Sequence, residues 1–208
     1  MNNKKIFNNL IWRFLERCGS QGVTFIVSII LARLLAPEVY GTIALVTVFT
    51  TLLQVFVNSG FGTALIQKKD ADDIDFSTVF YFSVAFSVVL YLFLYLALPA
   101  ISAFYGVEYR ILTPVLRVLG IQVIIFAVNS VQQAYVQRQM MFKNFFWATL
   151  VGTIVSAIVG LFMAYSGFGI WSIVAQQLTA SIINTLTLYI VTRKLPIWVF
   201  SFSRLRSL

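Results

Sequence analysis

From residue 144 to residue 192 the chain runs for 49 residues without one Asp, Glu, Lys or Arg. A membrane-spanning helix needs about 20 mostly apolar residues, because the hydrocarbon layer is about 30 Å thick and a helix rises about 1.5 Å per residue. The run is therefore two crossings and a turn, and Gly167 and Gly169 flank Phe168 where that turn belongs. Other charge-free intervals lie at 18–32, 39–67, 76–107 and 118–137. Together they place six spans near 13–36, 40–66, 76–98, 112–137, 144–166 and 170–192.

The proline positions suit those limits. Pro37 follows the first span and Pro99 follows the third, where each is expected to stop a helix. Pro114 falls in the first turn of the fourth, a permitted place, and Pro196 follows the last. The hydrophilic stretch KKDADDIDF (68–76) joins spans two and three, with Asp75 expected to cap the third.

Composition closes off other classes. Of 208 residues, 60% are hydrophobic and 11% charged, against roughly 45–50% and 25% in soluble domains. That excludes a soluble enzyme, a secreted disulfide scaffold and a disordered chain. There is no histidine, and Cys18 is the one cysteine, so a His-based triad, a His/Cys zinc site and an internal disulfide are all impossible. The formal charge of +8 does not signal nucleic acid, because the basic residues sit at the ends of apolar runs, where lipid headgroups lie. No Gly-rich phosphate loop is present, so no cofactor and no direct use of ATP are expected.

Lys and Arg also set an orientation. Lys4, Lys5, Arg13, Arg17, Lys68, Lys69, Arg138, Lys143, Arg193, Lys194, Arg204 and Arg206 fall on one side, and Arg33, Arg110 and Arg117 on the other. Twelve against three puts both termini in the cytoplasm. Arg13 and Glu16 interrupt any cleavable leader, so the first span reads as an uncleaved anchor.

Within the spans the polar residues form stripes at helical spacing. Span one carries Arg17, Gln21, Thr24 and Ser28, and span two carries Thr47, Thr51, Gln54 and Asn58. Span four carries Gln122, Asn129, Gln132 and Gln133 and leads to Gln137 and Arg138; span six carries Gln176, Gln177, Ser181, Asn184 and Thr187. Two readings stand side by side: hydrogen bonds that join helices, or a hydrated cavity for a hydroxyl-rich cargo. Span five differs, with small residues at Thr149, Gly152, Thr153, Ser156, Gly160 and Ala164 that suit close packing. Arg33, in the last turn of span one, and Arg117, inside span four, either snorkel to the interface or attract an anion such as a lipid diphosphate through the guanidinium fork.

Four stretches in order, LARLLAPEVYGTIAL (31–45), SGFGTALIQKKDADDIDFSTVFYFS (59–83), YVQRQMMFKNF (135–145) and GFGIWSIVAQQL (167–178), resemble the bacterial polysaccharide-transporter family. These are Wzx-type oligosaccharide flippases of the multidrug/oligosaccharidyl-lipid/polysaccharide exporter superfamily. The resemblance implies an all-α integral membrane fold, with this chain as a six-transmembrane-helix bundle, one lobe of two around a central cavity. It also implies a cargo, a polyprenyl-diphosphate-linked oligosaccharide moved from the cytoplasmic to the outer leaflet of the bacterial cytoplasmic membrane for cell-surface polysaccharide or lipopolysaccharide synthesis. Arg33 and Arg138 match the family's pattern by position. On this reading residues 1–194 are the lobe, and 195–208 are a basic amphipathic linker toward a second lobe, or the chain pairs with a second copy. The expected partners are the lipid-linked oligosaccharide and membrane lipids, not nucleic acid.

Three alternatives remain at this level. One is a multidrug or peptidoglycan-precursor exporter of the same superfamily, although cation export wants acids inside spans and all but Glu16 lie between or at the ends of them. Another is a membrane enzyme, for which a positioned acid or base is hard to assemble from Asp70, Asp72, Asp73 and Asp75 in one loop. The last is a non-catalytic scaffold.

Overall fold

The computed structural model of the chain describes residues 3–57, 62, 65–66, 68, 72–106, 111–192, 197, 199–202 and 204, with side chains from residue 11 onward and without that of residue 144. Among them are six long helices: α1 (Asn3–Leu34), α2 (Pro37–Val57), α3 (Asp73–Tyr105), α4 (Leu112–Arg138), α5 (Phe142–Tyr165) and α6 (Ile170–Thr192). All six are long and apolar enough to cross a membrane. The 21 residues of α2 rise about 32 Å, one bilayer core. The 33 residues of α3 rise about 50 Å, so its ends project beyond the hydrocarbon.

Burial runs opposite to that of a soluble bundle. Phe25 and Ile26 on α1, Phe93 and Leu96 on α3, and Phe162 on α5 are exposed, as side chains facing lipid should be. In the packing order, α1 lies against α5, α5 against α6, α6 against α4, and α4 against both α3 and α2. α4 is the hub, with Leu112, Leu116, Leu119 and Val123 fully buried in the main apolar cluster. α1 and α2 take opposite edges of this row. Only the first turns of α2, at Val39, Tyr40 and Ile43, reach the cluster in which Val27, Leu31 and Leu35 meet Ala157, Ala164 and Ile173.

Two expectations at helix ends are corrected. Pro99 does not stop the third helix, which continues to Tyr105. Proline removes one backbone donor, and the helix continues past it to a last bond from Gly106 N–H to Ser102 O at 3.1 Å. The cap of α3 is Asp72, not Asp75. Asp75 N–H donates to Asp72 Oδ1 at 2.9 Å and Asp72 N–H donates to Asp75 Oδ2 at 3.2 Å, so Asp75 is the reciprocal member of a capping box. The α5–α6 turn lies where expected, with Gly167 at φ +81° and Gly169 at φ +55°, values that side chains with a Cβ rarely adopt.

The same end of the bundle is tied together by charge. Asp75, fully buried, accepts from Lys68 Nζ at 3.0 Å, and Arg204 lies 3.6 Å from Asp75 and 3.3 Å from Asp72. The Asp75 backbone N–H, and after it Arg204, holds the exposed Asp72 carboxyl below the usual carboxylate range. Arg138 Nη1 donates to Leu65 O at 2.9 Å and also to Lys68 O. Ile197 N–H donates to Ser77 Oγ and Ser201 N–H to Thr78 Oγ1, so the chain after α6 is seated on the first turns of α3.

Candidate functional site

Polar side chains gather in two places at mid-depth of the bundle. The first is the α4–α6 seam. Gln122 Nε2 donates to Ser181 Oγ at 2.7 Å, and Asn129 Nδ2 donates to Thr185 Oγ1 at 2.9 Å. Gln133 Nε2 donates to Asn129 Oδ1. Ser181 and Thr185 turn their own protons to the carbonyls of Gln177 and Ser181, which leaves their oxygens free to accept from α4. The helix-joining reading therefore holds for Gln122 and Asn129, while Gln133 bonds within α4 and supports Asn129.

The second place is a chamber of about 260 Å³ between α1, α5 and α6, lined by Thr24, Val27, Thr153, Ser156, Ala157, Gln176, Gln177 and Ala180. Each helix contributes from near the middle of its span. Thr24 is exposed, and Gln176 and Gln177 are half-buried, so the chamber opens along the α1 edge. Gly160 shapes one wall, because a Cβ there would stand 2.9 Å from Gln176 Cβ. Just outside the chamber are three buried oxygens with no hydrogen-bond partner among the described residues: Ser20 Oγ, Thr149 Oγ1 and Asn184 Oδ1. Each stands one helical turn from a lining residue, toward the end where Lys68, Asp75 and Arg204 meet.

The remaining candidate positions disperse. Arg17, Gln21, Thr47 and Thr51 are exposed, on the α1 and α2 edges. Thr47 and Thr51 share a shallow depression with Val48, Leu52 and Val55, and Gln54 is half-buried one turn on. Asn58 lies outside the described residues. Arg33 is exposed in the last turn of α1. Arg117 is brought to α3 rather than to the chamber: its guanidinium sits 4.6 Å from the Tyr95 ring centre, and its carbonyl accepts from Tyr91 Oη. Arg138 is engaged with the 65–68 carbonyls. Asn184 and Gln177 share a face of α6 with Ser181, between the seam and the chamber.

Thr153, Ser156 and Thr185 also belong to these polar clusters, and the sequence pattern does not place them in a polar stripe. The signal was present as the spacings Thr149–Thr153–Ser156 and Gln177–Ser181–Thr185. On α5 it was masked by the small residues that do pack closely, with Gly152 within 3.3 Å of the Ala180 carbonyl at the Cβ position.

Comparison with known proteins supplies an independent line. The sequence model of a family described as polysaccharide biosynthesis protein matches residues 30–208. The succinoglycan biosynthesis transport protein ExoT of Rhizobium meliloti (strain 1021) is 26% identical over 208 residues, which is 100% of this chain and 42% of that protein. The teichuronic acid biosynthesis protein TuaB of Bacillus subtilis (strain 168) is 32% identical over 95 residues, 46% of this chain and 19% of that protein. The chain thus spans less than half the length of these relatives. No solved structure matches it.

Proposed function

Since the chain belongs to the polysaccharide biosynthesis protein family, we propose that it is one transmembrane lobe of a transporter, not an enzyme, that flips polyprenyl-diphosphate-linked oligosaccharide from the cytoplasmic to the outer leaflet for cell-surface polysaccharide synthesis. The observation that carries the reading is the mid-depth chamber of hydroxyl and amide side chains in a bundle otherwise turned apolar side outward. A helix bundle that only anchored something would have no use for polar volume at that depth, where each unpaired polar group is costly. The relatives' printed roles in succinoglycan transport and teichuronic acid biosynthesis point to glycan handling.

On this reading the end holding Lys68, Arg138 and Arg204 faces the cytoplasm of the bacterial cell, by the excess of Lys and Arg there. The exposed polar edges of α1 and α2, with Arg17, Gln21, Thr24, Thr47 and Thr51, face a second six-helix lobe across the translocation path. That lobe is supplied by further chain or by a second copy. Arg17 and Arg33 supply positive charge near the two mouths for the diphosphate. Alternating access comes from rocking the two lobes.

The test is reconstitution of the two-lobed transporter in liposomes with a fluorescent lipid-linked oligosaccharide in one leaflet. Transfer to the other leaflet at a rate above empty liposomes is expected. Transfer of a cationic dye, with no movement of the lipid-linked glycan, would instead support the drug-export alternative and overturn the proposal.

A further inference from the structure

Building on the flippase reading, we infer that the chamber between α1, α5 and α6 is a subsite for one uncharged sugar ring of the cargo and takes no part in holding its diphosphate. The hydrogen-bonding inventory is that of a polyol receptor. Thr24 Oγ1 donates to Ser20 O, Thr153 Oγ1 to Thr149 O and Ser156 Oγ to Thr153 O. Their protons are therefore committed to the backbone, and their lone pairs turn to the chamber as acceptors. Gln176 and Gln177 add amides that both donate and accept. A sugar hydroxyl does the same, while the C–H faces of the ring find Val27, Ala157 and Ala180.

Size and charge point the same way. A chamber of about 260 Å³ has room for one ring, and because it opens along the α1 edge the rest of a glycan chain can extend outward. Among the described residues no ionisable side chain lines the chamber, and α5 and α6 carry no charge from residue 144 to residue 192. Arg17 and Arg33 stand seven and nine residues from Thr24, about 10 and 13 Å along the helix. A phosphate or uronate there would lose its hydration without a countercharge. The buried, partnerless oxygens of Ser20, Thr149 and Asn184 extend the polar column behind the lining toward the charged end.

The experiment is saturation-transfer NMR on the full chain in lipid nanodiscs, titrated separately with a methyl hexopyranoside, glucuronate and inorganic phosphate. The neutral glycoside is expected to bind, with glucuronate at least about tenfold weaker for want of a countercharge and phosphate giving no competition. Thr153→Val and Ser156→Ala keep the shape and remove an acceptor, so each should weaken glycoside binding about fivefold, the size of one neutral hydrogen bond. Gln177→Leu should abolish it. Helix content and elution volume confirm that each variant is folded. Equal binding of glucuronate, or unchanged glycoside binding in all three folded variants, overturns the subsite. The two readings fail separately. Glycoside binding without lipid transfer upholds the subsite and refutes the flippase, whereas lipid transfer that survives in Gln177→Leu, with no glycoside bound, refutes the subsite alone.

Discussion

Replacing Asp75 by Asn keeps the shape of a fully buried side chain and removes its charge. Two cations then lose a partner: Lys68, at 3.0 Å and 23% exposed, and Arg204, at 3.6 Å and 42% exposed. Removing one member of a fully buried pair costs about 3–5 kcal/mol. Here the cations reach water, so the cost should fall to about 1–3 kcal/mol, most of it through Lys68, which is nearer and less exposed. An asparagine oxygen can still accept from the Asp72 N–H, so the capping box should survive in Asn and fail in Ala, adding about 1 kcal/mol to the Ala variant. The assay is unfolding in increasing dodecyl sulfate, followed by tryptophan fluorescence. Lys68→Met and Arg204→Gln, each combined with Asp75→Asn, should give coupling energies of about 1–2 and below about 0.5 kcal/mol, because half-exposed pairs are worth little. If Asp75→Asn unfolds within about 0.5 kcal/mol of the parent, or if Arg204 couples more strongly than Lys68, the burial argument is wrong.

Other outcomes can be checked in the same assay. Asn129→Leu removes the donor to Thr185 across the α4–α6 seam and, within α4, the acceptor for Gln133, and should cost at least about 0.6 kcal/mol, the size of one bond between membrane helices. Gly160→Ala should destabilise the bundle by about 1–3 kcal/mol through overpacking, because the new methyl meets Gln176 Cβ at 2.9 Å; an unchanged midpoint would mean that Gln176 moves freely. The Asp72 carboxyl is held below its ordinary value of 3.8. Its stabilisation of α3 is thus complete above that value and is lost as pH falls through the lower folded-state value. Asp72→Asn should therefore flatten the pH dependence below about pH 4, the ordinary carboxylate region, and at pH 7 lose only the part that rests on charge, since the amide oxygen can still cap the helix.

Much of this architecture was legible in one dimension because lipid imposes a simple rule. A helix must bury its own backbone and shed its charges, so 22 charged residues in 208 mark the spans. The rule weakens at ends, where local chemistry competes. Asp72 and Asp75 are both good caps by type, and only the direction of the N–H groups decides between them. Pro99 is a stop signal by type, yet the helix runs through it to Tyr105.

The candidate site was less legible, for a geometric reason. Periodicity tells which residues share one helix face but not which neighbour that face meets. Gln122 and Asn129 look like cavity residues along α4, and they join helices because Ser181 and Thr185 stand opposite. Thr153 and Ser156 look like packing residues along α5. They line a chamber because α1 presents Thr24 and α6 presents Gln176 and Gln177 at the same depth. Arg117 reads as a charge for the cargo path, and its guanidinium is carried to Tyr95 on α3 instead.

By itself, the sequence determined that this chain is a bundle of six apolar helices, with its turns and the sorting of Lys and Arg between its two ends, since these follow from solvation along a single helix. Only the tertiary structure decided which polar stripes close on each other and which enclose space, and that the segment after α6 is seated on α3. Those outcomes depend on which helix lies beside which, a relation between residues far apart in the chain that no local pattern encodes.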